Sequence, residues 1–324
     1  MKKIMLINSP ARIHIGFLDL EKESNRKYGS LGLTISNFSY QIKIENSNKV
    51  EISCKDKSIK SKVEKIIKIL KSEYHFSNFK ISISNLIPAH NGLGSGTQLA
   101  LSVGYLVAKF NGLKFSINQI SCLLNRGQRS GIGIQSFKKG GFNIDVGKLE
   151  GSIDPPLNIL NINWPKKWKI LLILDRNLEG IHGKKEVKEF KELKKIEAHQ
   201  TNLNCKSLLM NIIPGLMEKN FDEFSFGVRK IQDMMSEAFY GEKTKFASSL
   251  IEEIFFNIRK QGIKCFGQSS WGPTGFIIFE NSKKRNELSK YLEKYINLNN
   301  MKGIEILEVE GRNFGKRITL KEKL

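Results

Sequence analysis

A two-domain α+β fold is what this sequence predicts, on three observations. Strand-like and helix-like segments are mixed in both halves of the chain. A turn-rich stretch from Asp154-Pro155-Pro156 to Trp164-Pro165 separates the halves. A glycine-rich loop at 92–96 stands between an alternating strand and a long apolar helix. At 324 residues the chain is long enough for two domains of ordinary size. The boundary is set at residue 160: an N-terminal domain over 1–160 carries the loop, and a mixed α/β domain spans 161–324.

Short apolar and alternating runs mark strands at 4–7, 12–17, 40–45 and 50–53. In the second of these, Arg12-Ile13-His14-Ile15 would send both isoleucines to one face and leave Arg12 and His14 together on the other. Ile59, Val63, Ile66, Ile67 and Leu70 recur at helical spacing with lysines around them, which predicts an amphipathic helix over 59–73. Alternating Lys80-Ile81-Ser82-Ile83 opens a strand over 80–87. Beyond the loop the residues from 97 to 110 are apolar enough for a buried helix, and Ser116 caps another that runs to 124. A glycine-flanked strand follows at 141–146. After the turn-rich stretch, 168–174 reads as a buried strand, and helices follow at 184–197, 203–219, 221–239 and 246–261. In the first of these, Glu186, Glu189, Glu192 and Glu197 alternate with lysines, the pattern of a solvated face. Strands at 274–279 and 305–309 flank a last helix over 283–295.

Composition excludes several classes. A hydrophobic fraction of 40% supports a real core. No apolar run is long enough to span a membrane, and the stretch after Met1-Lys2-Lys3 is too short for a signal peptide. A cytoplasmic protein without membrane contact is the expectation, and a homodimer stays open. Cys54, Cys122, Cys205 and Cys265 form no Cys-x-x-Cys pair and read as small buried hydrophobes; the five histidines form no zinc pattern. The net charge of +21 invites a nucleic-acid reading. Its lysines fringe amphipathic helices without interleaved aromatic residues, so no nucleic-acid partner is expected. Anionic small molecules would still be drawn to such a surface.

Chemistry concentrates at Pro88-Ala89-His90-Asn91-Gly92-Leu93-Gly94-Ser95-Gly96-Thr97. Gly92, Gly94 and Gly96 let the backbone approach a ligand, and the first amides of the helix face an anion. Leu93 belongs with them to the substrate-binding stretch 92–97, and Ser95 and Thr97 add hydroxyls. No Gly-Lys-Ser/Thr follows, so this is not a Walker loop, and Gly-x-Gly-x-x-Gly is absent.

Pro-x-x-x-Gly-Leu-Gly-Ser followed by a helix resembles the second motif of the GHMP kinases. Gly96-Thr97 departs from the Ser-Ala usual in those kinases and resembles the β-ribofuranosylaminobenzene 5′-phosphate synthases, a non-kinase branch of the superfamily. Three more segments are similar to that branch: Ser9 to Leu20, Arg126 to Gly133 with Lys139 to Gly147, and Gly267-Gln268-Ser269-Ser270-Trp271-Gly272-Pro273-Thr274. They occur in the expected order from residue 9 to 274.

The resemblance implies a two-domain GHMP-kinase-like fold and a reaction. Phosphoribosyl pyrophosphate and 4-aminobenzoate (or its 4-hydroxy analogue) would condense with loss of CO₂ and pyrophosphate, an early step towards methanopterin-type cofactors. Residues 92–97 would take the leaving diphosphate with Mg²⁺, for which Ser95 or Thr97 and the Asp145 carboxylate supply oxygen ligands. Arg12, Arg126 and Arg129 would bind phosphate or carboxylate as planar forks. Asp145, His14 and Arg12 are the catalytic candidates, with His14 or His90 as proton carrier. Gln268, Ser269, Ser270 and Trp271 would line the substrate, Trp271 by stacking on the aromatic acid or by filling the domain interface. Arg12 paired to Asp19 is the alternative for that side chain, and His182 is a weaker candidate. A GHMP-family small-molecule kinase is the competing function.

Overall fold

The computed structural model describes residues 2–20, 25–181, 183–193, 198–241 and 244–323. Two long antiparallel strands organise the first half: β1 (Lys2–Asp19) and β2 (Arg26–Asn46). Then come β3 (Glu51–Ser53), α1 (Lys57–Glu73), β4 (Phe79–Asn85), α2 (Ser95–Phe110), α3 (Ile117–Leu123), α4 (Ile132–Lys138), β5 (Phe142–Asp145), β6 (Lys148–Leu149) and β7 (Asn158–Ile162). The second half holds β8 (Lys169–Asp175), α5 (Gly183–Glu192), α6 (Ala198–Ser207), a π turn (Leu208–Ile212), α7 (Ile213–Met217), α8 (Phe221–Tyr240) and α9 (Ser249–Lys260). It closes with β9 (Phe266–Gln268), β10 (Gly275–Phe279), α10 (Ser282–Leu298), β11 (Ile304–Val309) and β12 (Arg317–Lys323).

The first sheet runs β12-β1-β2-β4-β3, with β5 and β6 paired to the first part of β2 and β7 paired to β5. The second runs β11-β8-β10-β9. Mixed sheets and helices make this an α+β protein, as the sequence predicts. β12 crosses back from the end of the chain to pair with β1.

Helical periodicity translates directly into burial in α1, where Ile59, Val63, Ile66, Ile67 and Leu70 are the buried positions. Asp56 caps it by accepting from the Ile59 amide at 2.9 Å. In β8, Ile170, Leu172 and Leu174 face the large core, while Leu171 and Ile173 face a smaller one with Ile251, Ile254 and Phe255. Both faces are covered, which is why this strand reads as an unbroken apolar run.

Several elements differ from expectation. The segments at 4–7 and 12–17 are one strand, carried through Pro10 by a register shift between Pro10 and Ala11. A strand, β7, lies inside the region expected to be turns. The helix expected over 203–219 starts at Ala198 and passes through the π turn just before Pro214, whose missing N–H cannot extend a regular ladder. Residues 194–197, placed by the sequence in the helix over 184–197, lie outside the described residues, as does His182. Among the described residues, no helix is long and apolar enough to cross a membrane.

Candidate active site

The glycine loop leaves β4, and Gly92 and Gly94 adopt φ of 68° and 80°. Gly94 is the N-cap of α2 and brings no side-chain cap, so the first-turn amides at Ser95, Gly96 and Thr97 are open to a ligand at the positive end of the helix. Arg12 lies against this loop. Its amide donates to the Leu93 carbonyl at 3.1 Å, and its guanidinium Nη1 donates to the Gly92 carbonyl. A Cβ on Gly94 would stand 3.1 Å from Arg12 Cγ, so glycine there makes room for the arginine. Asp19 is seven positions along an extended strand, about 20 Å away, too far to be the partner of Arg12.

Arg126 arrives from the turn after α3, with Nη1 3.8 Å from where a Gly96 Cβ would be. Arg129 pairs with Glu186 of α5 at 2.7 Å. The Glu186 carboxylate also acts on Arg12 and Arg126, favouring their charged forms. Three arginines, one of them far along the chain from the other two, therefore feel one carboxylate, which Arg129 alone contacts. Burial dominates the electrostatics of two: it lowers Arg12 to about 10 and moves Arg126 down as well. The Nε atoms of Arg12 and Arg126 are buried without a hydrogen-bond partner, leaving donors for an anion.

His14 is buried at 2% exposure beside Arg12, as the alternation of β1 implies. Burial first, then the charges of Arg12 and Arg129, hold its imidazole well below the ordinary histidine range. A neutral ring removes the repulsion that two cations on one strand face would suffer. Neither ring nitrogen has a partner.

The segment at 268–271 is chiefly a brace. Ser269 Oγ accepts from the His14 amide at 2.9 Å and donates to the Gly92 carbonyl at 2.7 Å. The Ser270 amide donates to the His14 carbonyl at 3.2 Å. Gln268 spends its side chain on the Ala247 amide, the Tyr240 hydroxyl and the Ser270 carbonyl. Trp271 stacks on Phe239 with ring centres 3.9 Å apart, and its buried indole N–H has no partner. His90 joins the brace through its carbonyl, which accepts from the Gly180 amide at 2.7 Å.

Asp145 is fully buried at the end of β5. Its carboxylate accepts from Ser30 Oγ, from the Gly131 amide at 2.9 Å and from the Gly147 amide at 3.0 Å. Burial outweighs these bonds and raises it to about 6. Thr97 packs at the position of a Gly133 Cβ, so the opening of α4 links the loop to the carboxylate. Both Asp145 oxygens are committed to donors, and no grouping of three His, Cys, Asp or Glu suited to a metal exists among the described residues.

Glu186, which the sequence assigns to a solvated face, is instead half-buried on Arg129. Sequence reasoning also misses Phe190, one helical turn later, whose ring lies under Arg129 at 4.1 Å. Phe17, Tyr28, Phe239 and Trp271 surround that ring edge-on at 5.3–6.0 Å. The available signal is the isolated Phe among the charges of 183–192.

Residues 61–144 match the family described as GHMP kinases N terminal domain. The chain is 28% identical to the beta-ribofuranosylphenol 5′-phosphate synthase of Methanocaldococcus jannaschii, over 97% of this chain and 100% of that protein. It is also 28% identical to the protein of that name from Methanothermobacter thermautotrophicus, over 85% of this chain and 88% of that one. Among solved structures, mevalonate diphosphate decarboxylase from Staphylococcus aureus superposes with a TM-score of 0.69 over 98% of both chains, at 14% identity. That likeness is one of fold.

Proposed function

We propose that this chain, whose residues 61–144 match the GHMP kinases N terminal domain and which resembles β-ribofuranosylphenol 5′-phosphate synthases over nearly its whole length, condenses phosphoribosyl pyrophosphate with a para-substituted benzoate. The products are the C-riboside 5′-phosphate, CO₂ and pyrophosphate. The names of the relatives carry the phenol, which favours 4-hydroxybenzoate over 4-aminobenzoate as the acid.

One observation carries this reading: Arg12 and Arg126 stand at the uncapped start of α2, and the Glu186 carboxylate that acts on both is paired with Arg129, beside a box of aromatic rings. The reaction needs both features. As the bond from ribose C1 to the diphosphate oxygen breaks, negative charge accumulates on the leaving group. The amides of residues 95–97 with Arg12 and Arg126 are fixed donors for that charge. The ring carbon bearing the carboxylate then bonds to C1, and the carbon–carboxylate bond breaks. Its electron pair returns to the ring, and CO₂ departs. An ionised acid passes through these steps without a net proton transfer, so a neutral His14 is no obstacle. Any Mg²⁺ arrives on the diphosphate as part of the substrate.

Incubation with phosphoribosyl pyrophosphate, Mg²⁺ and carboxyl-labelled 4-hydroxybenzoate tests the reading. Labelled CO₂ and one equivalent of pyrophosphate are expected. Turnover of ATP with an alcohol acceptor, and no labelled CO₂, would establish a kinase in its place.

A further inference from the structure

Glu186 and Phe190 stand four residues apart on α5, so they share one face of the helix. Both touch Arg129: the carboxylate at 2.7 Å from Nη2, the ring with its centre 4.1 Å from the guanidinium carbon. A single guanidinium thus holds a carboxylate at its edge and an aromatic ring against its face. Phe190 is only 8% exposed, although its helix is otherwise rich in charge. Its ring meets Phe17 at 5.6 Å, Tyr28 at 6.0 Å, Phe239 at 6.0 Å and Trp271 at 5.3 Å, all edge-on. The polar atoms nearby await partners: both nitrogens of His14, the indole N–H of Trp271 and Nε of Arg12. Buried polar groups of this kind are usually hydrogen-bonded in native proteins.

From this geometry we infer that α5 carries an internal mimic of an aromatic carboxylic acid, with the Glu186 carboxylate and Phe190 ring occupying the subsite that the acid itself takes. The inference rests on the proposed reaction for the identity of the acid, and on the contacts of α5 for its place. The box of Phe17, Tyr28, Phe239 and Trp271 receives the ring, and Arg129 receives the carboxylate. Trp271 and His14 supply polar atoms to a para substituent, which Phe190 lacks. Binding of the acid displaces α5, and affinity is reduced by the fraction of molecules in which α5 is seated.

The test measures equilibrium binding of 4-hydroxybenzoate to the full chain by calorimetry, with wild type, Glu186→Gln and Phe190→Leu. Removing an occupant's charge or ring is expected to tighten binding about tenfold in each variant, the order of one lost charge-assisted contact for Glu186→Gln and of one lost cation–π contact for Phe190→Leu. Inorganic pyrophosphate, measured alongside, should change less than the acid. Amide hydrogen exchange over 183–192 gives a second readout: added 4-hydroxybenzoate should accelerate it in wild type, because the helix is expelled. Weaker or unchanged acid binding in both variants would overturn the inference, as would slowed exchange, the mark of a lid that closes over its ligand. Tightening confined to pyrophosphate would overturn it as well, since Glu186 would then guard the phosphate site. Absence of labelled CO₂ in the reaction assay refutes the proposed synthase chemistry, while tighter benzoate binding in the variants would still establish the mimic. Labelled CO₂ with unaltered acid binding refutes the mimic and leaves the synthase chemistry standing.

Discussion

Ser269 donates its hydroxyl to the carbonyl of Gly92 at 2.7 Å, across 177 residues of chain. The same oxygen accepts from the His14 amide, so the glycine loop, β1 and the 268–274 turn are one cross-braced unit. The contact is close enough that Gly92 has no room for a side chain. A Cβ there would lie 2.2 Å from the Ser269 carbonyl oxygen.

Gly92→Ala should therefore be much more damaging than Gly112→Ala. Both glycines have positive φ, 68° and 72°, but a Cβ at Gly112 meets nothing within 4 Å. Backbone strain alone costs about 1–2 kcal/mol at such a position. Gly112→Ala should show that loss in denaturant unfolding, and Gly92→Ala a further loss from the undocked loop. Equal losses in the two variants would mean that the brace contributes nothing to stability.

His14 should remain neutral well into the acid range. Its folded value lies below the 6.5 of a free histidine because of burial and the nearby Arg12 and Arg129. The unfolded chain then binds the proton more tightly, so this group removes stability as pH falls below 6.5. The slope approaches about 1.4 kcal/mol per pH unit. His14→Asn should flatten that acid-side slope, and ring resonances of wild type should not titrate near the free-histidine value. A titration there would refute the buried, neutral assignment.

Asp145 acts in the opposite direction. Its carboxyl is raised from 3.8 to about 6, chiefly by burial, so the folded state holds the proton more tightly than the unfolded chain. The resulting stability is complete below pH 3.8 and lost as pH rises through 6. Comparison of wild type with Asp145→Asn by denaturant unfolding isolates this group. The wild-type advantage should shrink by about 2 kcal/mol between about pH 4.5 and 7.5. A gap that stays constant would place the Asp145 value in the ordinary carboxylate range.

How much of this is legible in the sequence depends on whether the cause is local. The five buried positions of α1 follow from spacing alone, and the loop before α2 is announced by its glycines. Arg12 and His14 share a face because β1 alternates. β12 escapes sequence reading because Arg317-Ile318-Thr319-Leu320-Lys321 is an edge strand with charged positions, paired only with β1. α4 spans seven residues and begins among glycines, too short for periodicity to emerge. Glu186 looks solvated because lysines surround it in sequence. Its partner, Arg129, lies on a different element far back along the chain, and no local pattern reports a charge neutralised from that distance. Gln268 and Ser269 read as substrate contacts; their side chains prove to be spent on internal bonds, which motif matching alone does not distinguish.

Arg12→Lys should impair catalysis more than folding. Arg12 stays charged at neutral pH even with its value lowered to about 10, so Lys preserves the sign of the charge. Lys does not preserve the planar fork, whose Nη1 is fixed on the Gly92 carbonyl while Nε remains a free buried donor beside the loop. On the proposed reaction, loss of one charge-assisted bond to the diphosphate would cost about 1.5–3 kcal/mol, a fall in kcat/KM of roughly 10- to 100-fold. The structural cost is smaller, because Ser269 also donates to the Gly92 carbonyl and keeps that acceptor paired. The loop should stay docked, with a stability loss of about 1 kcal/mol. Steady-state kinetics with varied phosphoribosyl pyrophosphate, together with thermal melts, separate the two effects. A large drop in Tm with kcat/KM unchanged would make Arg12 a structural strut and remove it from the anion site.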